Sequence, residues 1–134
     1  MKRLEHLGIA VQDLAEAERI FTDVLGVAPY KRELVEDEGV RTSFFQTGDA
    51  KVELLASLNE EGPIARHLAR RGPGLQHVAF LVDDLEEELR RLTSQGYRVI
   101  SGPKPGADNK QIAFLHPSET GKVLVELCEE MKED

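Results

Sequence analysis

The sequence predicts an α+β fold built from two tandem β-α-β-β-β modules. Three observations predict it. The chain repeats itself at an offset of 71 to 73 residues, each copy opens on a strand-like alternation that runs into a capped amphipathic helix, and each helix is followed by three short apolar runs separated by turn residues. The repeat is the most informative of the three. LEHLGIAVQDLAEAE starts at Leu4 and LQHVAFLVDDLEEEL at Leu75, so His6 falls on His77 (77 − 6 = 71), and Val11, Asp13, Leu14 and Glu16 meet Val82, Asp84, Leu85 and Glu87. KVELLAS at Lys51 and LVELCEE at Leu124 set Glu53 on Glu126 (126 − 53 = 73), a two-residue difference that loop insertions absorb. The modules cover residues 1–58 and 74–134, with residues 59–73, NEEGPIARHLARRGP, as a linker carrying a short helix. Two copies are too few for a solenoid, so they are expected to pack side by side as a single domain, 1–134.

In order along the chain, HLGIAV alternates as a strand does. Asp13 is placed to cap a helix, with Glu16 three residues on as in a capping box. Leu14, Ala17, Phe21 and Leu25 share one helical face, and Gly26 supplies a stop. Strands are expected at 28–34, 40–46 and 51–56. The second module repeats the plan with strand HVAFLV, cap Asp84 with Glu87, helix face Leu85, Leu89 and Leu92, stop Gly96, and strands at 98–101, 111–116 and 123–128. Gly48-Asp49, Gly102-Pro103 and the run from Pro117 to Gly121 punctuate the strands.

Composition narrows the function classes. The 134 residues carry 17 basic and 25 acidic side chains, a formal net charge of −8, with no Lys/Arg block able to neutralise a nucleic-acid backbone. Cys128 is the sole cysteine, so no intramolecular disulfide forms, and a lone thiol fits a reducing compartment. The first residues, MKRLEHLGIAV, lack the long apolar run and cleavage site of a secretory signal, and no stretch approaches the ~20 apolar residues of a membrane span. These features lead to the expectation of a soluble cytoplasmic protein with no nucleic-acid or membrane partner.

The candidate site is the repeated pair. His6 and His77 stand in the first strand of each module, and Glu53 and Glu126 in the last. Two neutral imidazoles and two carboxylates, without thiolates, suit a divalent first-row ion such as cobalt, manganese, nickel, iron or zinc. Four protein ligands on an octahedral ion leave two positions for a substrate, the arrangement of a catalytic rather than a structural site. The competing account is that a strand Glu flanked by Val and Leu, as in Val52-Glu53-Leu54 and Val125-Glu126-Leu127, faces water, and that duplication copied structural residues. His67, beside Arg66, Arg70 and Arg71, reads as solvated, and His116 before Pro117 reads as a turn residue.

The paired strand His and strand Glu in two such modules resemble the vicinal oxygen chelate superfamily, which includes glyoxalases, extradiol dioxygenases and drug-binding resistance proteins. Longer matches, HLGIAVQDL, VELLASLNEEGPIARHL, GPGLQHVAFLVDDL, and IAFLHP with GKVLVEL, make the chain similar to the methylmalonyl-CoA epimerase family over nearly its whole length. That resemblance implies an isomerase interconverting (R)- and (S)-methylmalonyl-CoA by α-proton abstraction through a metal-stabilised enolate. It implies His6, Glu53, His77 and Glu126 as metal ligands, Glu53 where the family carries Glu or Gln, with cobalt as the expected ion and a homodimer as the expected assembly. It implies Glu126 as base as well as ligand. Some relatives place a second Glu where Thr42 stands here, after Gly39-Val40-Arg41, so a metal-bound water, Glu53 or a carboxylate of residues 36–38 is left to act as the other proton carrier. Gln76 stands where many members have a further histidine that is not a ligand. Lys104, Lys110 and Lys122 are expected in loops, where they could meet the phosphates of an acyl-CoA substrate. A glyoxalase-type lyase acting on a glutathione adduct, and a metal-free small-molecule-binding resistance protein, are the alternatives within the same fold; an extradiol dioxygenase fits less well, since such enzymes use a three-ligand iron site and longer chains.

Overall fold

The computed structural model describes residues 2–132 and contains eight strands and three α-helices. The chain folds as two units. One is His6–Gln76, and the other joins the residues up to Glu5 to those from His77 onward. The linker helix thus belongs to the first of these units and the leading residues to the second.

Within the first unit the order of elements is β1 (Arg3–Ala10), α1 (Leu14–Leu25), β2 (Lys31–Val35), β3 (Val40–Thr47), β4 (Ala50–Ser57) and α2 (Pro63–Arg71). The strands lie in the order β2-β3-β4-β1, antiparallel except for the parallel pair β4 and β1. The helix start is as the sequence dictates: the Asp13 carboxylate accepts the Glu16 N–H at 3.1 Å, satisfying one orphan donor of the first turn. The reciprocal arm of a capping box is replaced, because the Glu16 carboxylate instead accepts from the Arg19 guanidinium at 2.8 Å. Gly26 closes the helix at φ 72°, its N–H reaching Thr22 O. Ala17 is buried, and Leu14, Phe21 and Leu25 pack beside it against Val11, Phe45, Leu54 and Ala56, the core on one face of the sheet. On the other face Ile64 of α2 is buried with Ala10, Val40 and Leu55.

The second unit continues with β5 (Gly74–Leu81), α3 (Leu85–Ser94), β6 (Val99–Gly106), β7 (Lys110–Leu115) and β8 (Val125–Glu130), ordered β5-β8-β7-β6. Asp84 caps α3 by accepting the Glu87 N–H at 3.1 Å. Leu85 and Leu89 are buried, and Leu92 packs with them, against Val82, Ala113, Leu115 and Leu127. The predicted α+β class and the β-α-β-β-β order in each module are therefore observed.

Several boundaries differ from expectation. Strand β2 begins at Lys31 rather than residue 28, because Pro29 has no N–H for the ladder and pairing starts with Tyr30 N–H to Phe44 O. Helix α3 ends at Ser94 with Gln95 as its C-cap, one residue before Gly96. Strand β6 runs on to Gly106 through Pro103 and Pro105, which an edge strand with irregular register tolerates. Strand β8 starts at Val125, since Val123 N–H is taken by Thr120 O in the preceding turn. Among the described residues, no helix is long and apolar enough to cross a membrane.

Candidate functional site

The two histidine–glutamate pairs are produced by the same strand register in each unit. In the first, parallel β1 and β4 set Gly8 opposite Glu53, so His6, two residues earlier, lies on the same face as Glu53. In the second, parallel β5 and β8 set Ala79 opposite Glu126, and His77 is again two residues earlier. On the parallel neighbour, the residue across from each carboxylate is thus small, glycine in one copy and alanine in the other.

All four side chains are buried: His6, Glu53 and His77 are 4% exposed and Glu126 5%. Glu53 and Glu126 do not face water, which removes the reading of them as solvated strand residues. His6 Nε2 stands 3.6 Å from Glu53 Oε1, and His77 Nε2 stands 3.3 Å from Glu126 Oε1. Both separations exceed the usual 2.7–3.2 Å of an N–H···O bond. They match the roughly 3 Å or slightly more that separates adjacent ligands on an ion with metal–ligand distances near 2.1 Å. Burying an ionised carboxylate is costly unless a cation or several donors meet it. Each pair, one imidazole nitrogen and one carboxylate oxygen, therefore fits a divalent cation.

The aromatic neighbours repeat as well. Phe44 on β3 is the register partner of Glu53, and Phe114 on β7 is the register partner of Glu126. Phe44 is 1% exposed and packs 6.0 Å, centroid to centroid, from Tyr30. Phe114 meets His77 edge-on at 5.8 Å. Neither phenylalanine stands out in the sequence by residue type, yet the spacing carries the signal: 114 − 44 = 70, close to the repeat offset. The pair also locates the insertion. Phe44 and Glu53 are 53 − 44 = 9 residues apart and Phe114 and Glu126 are 126 − 114 = 12, because a tight Gly48-Asp49 turn joins β3 to β4 whereas a 3-10 turn, Pro117–Glu119, stands between β7 and β8.

The remaining candidates sort by burial. His116 caps the 3-10 turn, its Nδ1 accepting the Ser118 N–H at 3.1 Å, which is the turn role expected of it. His67 is half-buried in α2 rather than solvated, and burial, then the Arg71 charge, hold it below the ordinary histidine value. Lys110 was expected in a loop and is not in one. It is the first residue of β7 and 4% exposed, its ammonium donating to Asp108 O at 2.8 Å and pairing with Glu130 at 3.4 Å. Asp108 and Asn109, at φ 57° and 58°, make the left-handed turn that brings the lysine inward. Lys104 lies in β6 and is half-buried, while Lys122 is exposed at φ 70°. Cys128 is fully buried, and its thiol donates to Phe80 O at 3.5 Å. Burial first, then the Glu126 carboxylate, push that thiol far above its ordinary range, so it is no thiolate ligand. Thr42 is 1% exposed and its hydroxyl donates to the Glu33 carbonyl at 3.0 Å.

Residues 5–114 match the family model described as the glyoxalase/bleomycin resistance protein/dioxygenase superfamily. The chain belongs to that superfamily. It is 44% identical over 130 residues to an uncharacterized protein of Bacillus subtilis, covering 96% of this chain and 93% of the relative. It is 37% identical over 128 residues to the ethylmalonyl-CoA/methylmalonyl-CoA epimerase of Cereibacter sphaeroides, covering 93% of this chain and 96% of that one. Among solved structures it matches the methylmalonyl-CoA epimerase of Mycobacterium tuberculosis with a TM-score of 0.91 and 39% identity, covering 96% of this chain and 88% of the other.

Proposed function

We propose that this chain is a metal-dependent epimerase that interconverts (R)- and (S)-methylmalonyl-CoA. The observation that carries the reading is the pair of buried His–Glu sets in one repeated register, in a chain that aligns almost end to end with epimerases acting on 2-alkylmalonyl-CoA thioesters. His6, Glu53, His77 and Glu126 are proposed to hold one divalent ion, with the modules 1–58 and 74–134 acting as a single domain. An ion so held, when bound, stabilises the negative charge that develops on the thioester oxygen as the α-proton leaves. Cobalt is the proposed native ion, on resemblance, and a cytoplasmic homodimer the proposed state.

The side chains supply the proton chemistry. The substrate α-carbon lies between a thioester carbonyl and a carboxylate, so its C–H bond is the acidic one. Glu126 is proposed to accept that proton on one face: the C–H bond breaks, an O–H bond forms on the carboxylate, and the electron pair spreads onto the thioester oxygen. Inversion requires a proton delivered to the opposite face. Glu53 and Glu126 are 4% and 5% exposed, so little water surrounds the carboxylates where the anion would form. With Lys110 buried, Lys104 and Lys122 remain as the module-two lysines proposed for the coenzyme A phosphates.

A metal-free binder does not account for four buried ligand-type side chains in matched pairs. The glyoxalase-type lyase is the remaining competitor. Metal-loaded protein assayed in parallel with methylmalonyl-CoA and with a glutathione hemithioacetal separates the two. Turnover of the thioester, with incorporation of solvent deuterium at its α-carbon, is the expected result, and turnover of the hemithioacetal alone contradicts the proposal.

A further inference from the structure

The second histidine–glutamate pair has a third member. His77, Glu126 and Phe114 stand on β5, β8 and β7, all three residues within the second unit, and β8 lies between the other two strands. The register puts the three side chains on one face of the sheet. Ala79, two residues after His77, pairs with Glu126 on one side of β8, and Phe114 pairs with Glu126 on the other. Adjacent strands are ~4.8 Å apart, so the backbones of His77 and Phe114, two spacings apart, stand roughly 10 Å or more from one another. Their ring centroids are only 5.8 Å apart. Both rings therefore lean inward and meet over the strand that carries Glu126. Their planes cross at 84°, the perpendicular arrangement that the charge distribution of aromatic rings favours. The same imidazole holds its Nε2 3.3 Å from Glu126 Oε1.

Phe114 is itself anchored. With Leu81 it packs on the buried residues Ala79, Ile112 and Cys128. These surround Glu126 on the same face: Ala79 is across from it, Cys128 is two residues on, and Ile112 is across from Cys128. The ring thus has a fixed apolar base on one side and the imidazole on the other. A histidine side chain has three staggered χ1 wells and a broad χ2. A neighbour that removes the alternatives leaves Nε2 facing Glu126 before any ion arrives, which cuts the ordering cost of binding one. A hydrogen bond to the other ring nitrogen commonly orients a ligating histidine; a packed ring restricts the same rotation by steric contact.

We propose that Phe114 is a positioning residue for the metal site: it wedges the His77 imidazole into the orientation that directs Nε2 toward Glu126, and it acts on the ion only through that histidine. The assignment rests on the metal site proposed above.

The test titrates cobalt into the metal-free full chain of wild type, Phe114→Leu, Phe114→Tyr and Ile112→Val. The visible absorption of the bound ion and the denaturation midpoint of each metal-free chain are recorded alongside. Phe114→Leu keeps an apolar side chain without the ring, Phe114→Tyr keeps the ring, and Ile112→Val thins the same apolar cluster by one carbon. Phe114→Leu is expected to bind cobalt roughly 10–100-fold more weakly, with a shifted visible spectrum. Phe114→Tyr should restore both, and Ile112→Val should keep both whatever it does to the midpoint. An affinity loss below about threefold in Phe114→Leu, well short of that range, with an unchanged spectrum, overturns the assignment. An equal loss in Ile112→Val also overturns it, since the ring would then be ordinary packing. In the wild-type metal-free chain a nuclear Overhauser contact between the His77 and Phe114 ring protons is expected, and its absence overturns the assignment without reliance on any variant. Wild type that binds no cobalt would instead remove the metal site itself, so the two failures are distinguishable.

Discussion

The two His–Glu pairs are built alike and surrounded differently. Both arise from a parallel strand pair in which the residue two places after the histidine opposes the glutamate, and both are roofed by a phenylalanine across from that glutamate. In the first unit the phenylalanine is sealed, 1% exposed and packed against Tyr30, and the neighbouring position is the neutral Thr42. In the second it is only partly buried and turns its ring on His77, whose nitrogen stands closer to its carboxylate, 3.3 Å against 3.6 Å. Duplication therefore copied the His–Glu frame, while the side chains around it diverged into a first pair that is packed and a second in which Glu126 is proposed to carry the proton as well.

That asymmetry can be broken at several points. The largest effect is expected at the carboxylates. Glu126→Gln should lower epimerisation by roughly 10²–10⁴-fold, the usual weight of a general acid–base group, whereas Glu53→Gln should cost about tenfold or less, since the family carries Gln as well as Glu there. Steady-state assays of the two variants side by side check this, and equal losses would erase the functional difference between the pairs. Next comes packing. Phe44→Ala empties a fully buried site and should cost about 3–5 kcal/mol. Phe114→Ala, at a partly exposed position, should cost about 1–3 kcal/mol. Denaturant midpoints at constant slope measure both. The smallest expected effect sharpens the likeness of the copies: Asp13→Ala and Asp84→Ala each remove one N-cap bond of 3.1 Å and should each destabilise by about 1 kcal/mol.

Much of this was legible in the sequence for a physical reason. Helix caps, apolar helix faces and a parallel strand pair that carries a buried His and Glu impose residue type at fixed spacing, and duplication prints the spacing twice. Asp13 and Asp84 cap as expected, and His6, Glu53, His77 and Glu126 are all buried, as the proposed ligand role needs. The illegible parts depend on what a residue meets across the fold. Lys110 follows two polar turn residues and reads as loop, but a left-handed Asp108-Asn109 turn folds it inward against Glu130. The length of β6 was hidden by prolines that only an edge position accommodates.

The central claim is that two copies of one pair serve a single ion. Metal stoichiometry tests it most directly, measured on purified chain loaded with cobalt and freed of excess, for wild type, His6→Ala and His77→Ala. One ion per wild-type chain, lost from both variants together with epimerase activity, is the result the account predicts. Two ions per chain, or one variant that keeps a full equivalent, would contradict it.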